Sequence, residues 1–261
     1  MLRQGGEVIL TAWHFAIREL KERYAGTQIG FFWLLLSPLV MIVIYTVVFS
    51  DMMMIKLGKI QHDYAYSLYL IPGILTWSYF AALVNGLSTV AIDKSNLIKK
   101  IGAPLYLYHL ALFFRESIIY VVSMTLGLIF YLLIGQNCGM DCFVLPVYML
   151  LVGLFGFGIG IILSMLLPFF RDLKEMIGVV LQLWFWLTPI VYPKELLLKK
   201  LPWLVEINPM VQFITPLQHF FLHAKVTSLS NMALPFFLSI GVLFFAFYIY
   251  RLTLGAVRDV I

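Results

Sequence analysis

Six stretches of this chain carry no charged side chain: residues 26–50, 64–92, 117–140, 142–170, 176–193 and 226–250. A helix needs about 20 consecutive apolar residues to cross a hydrocarbon core about 30 Å thick, and each stretch reaches or approaches that length. The pattern predicts an all-α integral membrane protein with six transmembrane helices. Composition agrees, because 12% of the residues are charged, against about 25% in a soluble domain. An ordinary cytosolic fold is excluded on that ground. The first 25 residues carry seven charges and lack a short apolar core followed by a small-residue cleavage site, so no signal peptide is expected there. The first span would act as its own insertion signal.

Assigning charges to loops orients the chain. With the N-terminus inside, the cytoplasmic side receives eleven Lys and Arg: Arg3, Arg18, Lys21, Arg23, Lys94, Lys99, Lys100, Arg171, Lys174, Arg251 and Arg258. The outer side receives six: Lys56, Lys59, Lys194, Lys199, Lys200 and Lys225. The positive-inside rule therefore places both termini in the cytoplasm. The net charge of +5 needs no nucleic acid to explain it, since no basic stripe exceeds what topology requires. Cys138 and Cys142 fall in the short external turn before the fourth span. They can pair in an oxidising compartment or remain two free thiols; two thiols alone do not complete the four ligands of a structural zinc site.

Residues 7–25 have helical periodicity, with Ile9, Trp13, Ile17, Leu20 and Tyr24 on one face and Glu7, Thr11, His14, Arg18 and Glu22 on another. This reads as a helix lying in the membrane surface or as a solvated helix that positions the first span. Residues 93–104, DKSNLIKKIGAP, form a compact polar link in which Asp93 or Ser95 can cap a short helix that Gly102 and Pro104 end. Arg115 and Glu116 stand some ten residues beyond Pro104, where snorkelling to the interface is favoured over a buried proton relay. In GLFGFGIG, Gly156 and Gly160 provide a small-xxx-small face for close helix packing. The segment 192–230 has four prolines, and its uncharged run 207–222 is too short and interrupted for a span. Two short helices dipping into the outer leaflet are expected, since irregular backbone at membrane depth needs protein or a water-filled cavity around it. His219 and His223 are one turn apart but lack further ligands, which argues against a metal site.

RELKERYAGTQIGFFWLLLSPL (18–39), PGILTWSYF (72–80), NLIKK (96–100), FRDLKE (170–175), TPIVYP (188–193) and Asn208-Pro209 occur in an order and spacing that resembles the permease subunits of ABC-2 type polysaccharide exporters, those for O-antigen, capsule and teichoic acid. The resemblance covers nearly the whole chain as a single domain, 1–261. It implies a homodimer of permease subunits in the bacterial inner membrane, joined by two cytoplasmic ATPase subunits that bind the ATP and Mg. No cofactor is implied for this chain, which has no Walker A motif of its own. The implied cargo is a polysaccharide on a polyprenyl pyrophosphate.

The resemblance also distributes roles. Residues 7–25 become the interface helix, 93–104 the coupling helix with Asn96, Leu97, Lys99 and Lys100, and Arg171 and Asp172 a second ATPase contact. The segment 193–230 becomes an external gate, with Pro189, Tyr192, Pro193, Asn208 and Pro209. Arg18, Lys21 and Arg23 are candidates for drawing in the pyrophosphate, since basic groups near a membrane surface attract anions. Phe31, Phe32, Trp33, Trp184, Phe185 and Trp186 are candidates for the channel wall, because aromatic faces pack on sugar rings without one fixed hydrogen-bond pattern. Where relatives carry an arginine after the Asn-Pro helix, this chain has Gln218 and His219, and no role is carried to that position. A permease for drugs or simple lipids would share the fold. A secondary transporter would show charges at mid-membrane and an internal repeat, and neither is present.

Overall fold

The computed structural model describes residues 2–52, 64–225 and 232–260, all of them in helices, turns and connecting segments. Eleven α-helices follow one another among the described residues: α1 (Leu2–Tyr24), α2 (Trp33–Met52), α3 (Ala65–Asp93), α4 (Ser95–Ile101), α5 (Leu105–Leu133), α6 (Leu145–Leu166), α7 (Leu173–Leu187), α8 (Lys194–Lys200), α9 (Pro202–Ile207), α10 (Pro209–His223) and α11 (Ala233–Val260). Single 3-10 segments precede α2 and α6.

Among the described residues four helical segments are long and apolar enough to cross a membrane: Ala65–Asp93, Leu105–Leu133, Asp141–Leu166 and Ala233–Val260. The six uncharged runs thus mark helices but not their ends. The third helix starts at Leu105, not at the first residue after the charged pair, and carries Arg115 and Glu116 inside it. The last helix likewise continues through Arg251 and Arg258. The fifth run yields α7, 15 residues long, about 22 Å at 1.5 Å per residue, because TPIVYP is a turn and not helix.

α3 is the hub. It packs against α2, α5, α6, α7 and α10, while α6 is also backed by α11, and α1 lies along α5. Lipid tails are as apolar as leucine, so helices here are drawn together by close packing rather than by hydrophobic transfer. The glycines of α6 provide it on two sides. A Cβ added to Gly160 would come 2.6 Å from Leu87 Cβ and 3.2 Å from the Leu83 carbonyl oxygen on α3, and one added to Gly158 would meet Val242 at 2.8 Å on α11. Any larger residue would push one of these neighbours away.

The buried face of α1 differs from the periodic one. Ala12, Ala16 and Leu20 are buried, whereas Ile9 and Trp13 are exposed. Alanines let the backbones of α1 and α5 approach, but they add little to a hydrophobic pattern and so do not announce themselves. Phe15 stacks on Tyr108 and Trp13 meets Phe114 edge-on, with ring centroids 6.0 and 5.9 Å apart. α4 begins without a side-chain cap, contrary to the expectation for Asp93 or Ser95: Lys94 occupies the cap position. Gly102 ends it as its sequence suggests, at φ +70° with its N–H bonded to the Ile98 oxygen.

The region 193–230 holds three helices, α8, α9 and α10, where two were expected; residues 226–230 lie outside the described residues. α10 is not a surface loop, because Val211, Phe213, Ile214, Leu217, Phe220 and Phe221 are wholly buried. Cys138 and Cys142 form a disulfide.

Candidate functional site

The two ends of α3 carry two different polar clusters. At its C-terminal end, Lys94 joins α3 to α4 and donates from Nζ to Glu19 Oε1 at 2.6 Å. Glu19 Oε2 accepts from Arg115 Nη1 at 3.0 Å. Arg115 also holds Glu116 Oε1 through Nε at 2.9 Å and Nη2 at 2.8 Å, and Arg23 stands 3.9 Å from the same oxygen. The side chains of Glu116 and Glu19 are 8% and 16% exposed, so the charged pair of α5 does not snorkel. It turns inward because α1, lying along α5, brings a carboxylate within reach.

This circuit has three bases and two carboxylates, and the loosely held member is Arg23, half-exposed. Arg23 and Glu116 line a cavity of about 230 Å³ between the end of α1 and helices α2, α3 and α5, with Ser37, Ser78 and Ser123 among its walls. Tyr79 and Tyr120 stack at 4.3 Å beside it. Their hydroxyls pair with Ser117 at 2.7 Å and Thr76 at 2.8 Å. The same two rings also line a larger apolar groove between α5 and α6, about 750 Å³, which reaches Cys138 and Cys142.

Of the basic residues singled out in sequence, Arg18 is paired with Glu22 at 2.7 Å. That bond raises the Arg18 pKa. Lys21 is exposed. Asn96, Leu97, Lys99 and Lys100 form the exposed surface of α4, while Ile98 turns back into the core. Arg171 lines a cleft of about 350 Å³ with Ser95, Lys174 and Pro168, so the first residue of α4 and the 171–174 segment border one space; Asp172 is exposed.

The other end of α3 is neutral. The Tyr66 hydroxyl donates to the Val191 oxygen at 2.7 Å. The Tyr69 hydroxyl lies 2.8 Å from the Pro189 oxygen and 2.9 Å from that of Tyr192. Gln218 Nε2 adds a bond to the Pro189 oxygen at 3.2 Å. The turn 188–193 is therefore held to α3 and α10 through its carbonyls, with Pro189 and Pro193 buried. Asn208 ties α10 to α7. Its Oδ1 accepts from Trp184 Nε1 at 2.8 Å and from the Met210 N–H at 3.0 Å, and its Nδ2 donates to Thr188 Oγ1 at 2.9 Å and to the Leu187 oxygen at 3.2 Å. Pro209 opens α10 in the first turn, where its missing N–H costs nothing.

The aromatic candidates divide. Trp184 packs edge-on against Phe80 at 5.3 Å and Trp77 at 6.1 Å, and Phe185 against Trp77 at 5.7 Å. Phe32, Trp33 and Trp186 are 53%, 40% and 57% exposed. The Phe31 side chain lies outside the described residues. His219 and His223 have ring centroids 4.5 Å apart, and His219 Nδ1 donates to the Lys225 oxygen. Among the described residues no three potential metal ligands come together. Sequence reasoning missed Glu19, Lys94 and Tyr69; the first two were hidden in ordinary surface charge, and the third in an apolar run.

Three curated proteins resemble the chain over most of its length. Two from Klebsiella pneumoniae, each named O-antigen export system permease protein RfbA, are 26% identical over 80% of this chain and 79% of theirs, and 27% identical over 79% and 78%. One of the same name from Myxococcus xanthus is 28% identical over 78% of this chain and 77% of its own. The family described as ABC-2 type transporter matches residues 12–222, a stretch that runs from the buried face of α1 through α10. The chain therefore belongs to the ABC-2 type transporter family.

Proposed function

We propose that this protein is the channel-forming permease subunit of an ATP-driven exporter that moves a lipid-linked polysaccharide from the cytoplasm to the outer side of the inner membrane. The observation that carries the reading is the exposed face of α4, with Asn96, Leu97, Lys99 and Lys100, whose first residue Ser95 shares a cleft with Arg171. A short helix packed by Ile98 and exposed at Asn96, Leu97, Lys99 and Lys100 suits contact with a second protein. In this reading two copies of the chain pair with two ATPase subunits, which bind the ATP and Mg, and α2 and α7 complete six spans. α4 and both termini face the cytoplasm. The names of the relatives support a glycan as cargo.

The physics of the cargo favours a channel. The polyprenyl tail stays in the membrane, since each buried methylene contributes about 0.8 kcal/mol, whereas the pyrophosphate and hydrated polymer cannot cross hydrocarbon unaided. A polymer longer than the membrane is thick cannot be enclosed in an alternating-access cavity. Arg23 at the cavity mouth would attract the pyrophosphate, and the exposed rings of Phe32, Trp33 and Trp186 are available to the sugars. The test is hydrolysis by the purified chain alone and with its ATPase, against lipid-linked glycan, drugs and simple lipids. The chain alone should be inert and the complex stimulated by the glycan. Hydrolysis by the chain alone would sink the subunit reading, and stimulation only by drugs or simple lipids would replace the cargo.

A further inference from the structure

We propose that Glu19 is a positioning residue for energy coupling: its two carboxylate oxygens link the α3–α4 junction to α5, so that a displacement of α4 is passed on to the cavity mouth at Arg23. The inference rests on reading α4 as the ATPase contact. Lys94 belongs to both helices it joins, since its N–H bonds to the Val90 oxygen at 3.0 Å and its oxygen accepts from the Ile98 N–H at 2.9 Å. α4 therefore cannot tilt without moving the Lys94 ammonium, and Glu19 holds that ammonium at 2.6 Å. The second oxygen of Glu19 holds Arg115, Arg115 holds Glu116, and Glu116 faces Arg23.

A purely structural role for these charges is the competing account. α1 is already fixed along α5 by Ala12, Ala16 and Leu20 and by the Phe15–Tyr108 and Trp13–Phe114 ring pairs. Apolar side chains of similar volume hold helices at least as well as ion pairs taken out of water, so attachment alone does not call for five charged groups. What ion pairs add is a set of partners that can be exchanged. If Lys94 is drawn away, Glu19 is left to Arg115 alone and competes more strongly for it. Glu116 is then freed to take Arg23, whose 3.9 Å separation leaves room to close. Closing it would move a positive charge at the cavity mouth.

The experiment uses the full permease with its ATPase in proteoliposomes. It records complex yield, substrate-stimulated ATP hydrolysis and glycan exported per ATP. Glu19→Gln keeps shape and removes the charge. It should assemble and hydrolyse ATP normally but export about five- to tenfold less per ATP, the low end of an ordinary coupling between sites. Glu19→Asp, which retains the charge, should recover part of the loss. Lys94→Gln cuts the same link from the other side, covers the case in which Glu19→Gln does not fold, and should uncouple in the same way. A proportional fall in hydrolysis and export, or a wild-type ratio in both variants, would overturn the inference. A Lys99→Glu/Lys100→Glu arm separates the two levels. If it abolishes association with the ATPase while both link variants export at the wild-type ratio, the link falls and the reading of α4 stands; if it associates normally, both fall.

Discussion

The two polar clusters at the ends of α3 do opposite things with similar means. At the 188–193 turn, tyrosine hydroxyls and the amides of Gln218 and Asn208 bond mostly to carbonyls in neutral, buried surroundings. At the α4 junction, long charged side chains meet one another, and one base is in surplus. A neutral bond to a backbone carbonyl fixes one geometry, and losing it strands a buried group. Ion pairs can change partners, and the apolar contacts of α1 hold the helices without them. The turn end should therefore register substitutions as loss of fold, and the α4 end as loss of function with the fold intact.

The largest effect expected under this contrast is Asn208→Ala. It removes four hydrogen bonds and leaves the Trp184 N–H and the Met210 N–H without their acceptor. With about 1–3 kcal/mol for each buried group left unsatisfied, the variant should lose about 2–6 kcal/mol, read as a lower melting temperature in detergent and reduced yield. A wild-type melting temperature would show that the cluster at the 188–193 turn is not the fixed one. Next comes Lys99→Glu/Lys100→Glu on α4: membrane insertion and melting temperature unchanged, association with the ATPase weakened at least tenfold, measured by co-purification.

A smaller effect is expected from replacing Arg18, Lys21 and Arg23 together by Gln. Each base near such a surface contributes on the order of 1 kcal/mol, but Arg18 is held by Glu22 and Arg23 lies near Glu116. Stimulation by lipid pyrophosphate, with or without its glycan, should fall about threefold to tenfold, since 1.4 kcal/mol corresponds to a factor of ten. Trp33→Ala should reduce only the glycan-dependent part. Indistinguishable behaviour of both from wild type would make the charged end of α1 an anchor.

The smallest expected effect is a pH dependence at the C-terminal end of α10. Burial, then the neighbouring His219, lowers the His223 pKa from its ordinary 6.5. The unfolded chain then binds this proton more readily, so the contribution to stability is complete above about pH 6.5 and lost as the pH falls through the lowered value. Wild type should lose slightly more melting temperature between pH 7.5 and pH 5 than His223→Gln does, and equal losses would remove His223 from the account.

The sequence made the helices legible because absence of charge over 20 or more residues has few causes. It did not show where they end. α5 and α11 run on through Arg115, Glu116, Arg251 and Arg258 because tertiary partners or a helix end accommodate the charges, and a rule based on uncharged runs stops at each one. The partner of Arg115 lies 96 residues earlier, beyond any local pattern. In sequence Pro209 interrupts an uncharged run; in the structure Asn208-Pro209 starts α10, and the bond of Asn208 to Trp184 depends on α7 turning that indole inward. Along an apolar run nothing distinguishes Trp184, packed against Phe80, from Trp186, two residues on and exposed. α4 was the opposite case, since seven residues bounded by Lys94 and Gly102 leave little choice of conformation.

Export itself is the central claim. Proteoliposomes holding the permease and its ATPase, loaded with a lipid-pyrophosphate glycan on the ATPase side, can be probed with a glycosidase added to the other side. The account predicts cleavable glycan that accumulates only with ATP and Mg and only when the permease is present. An intact complex that hydrolyses ATP while the glycan stays protected would contradict it.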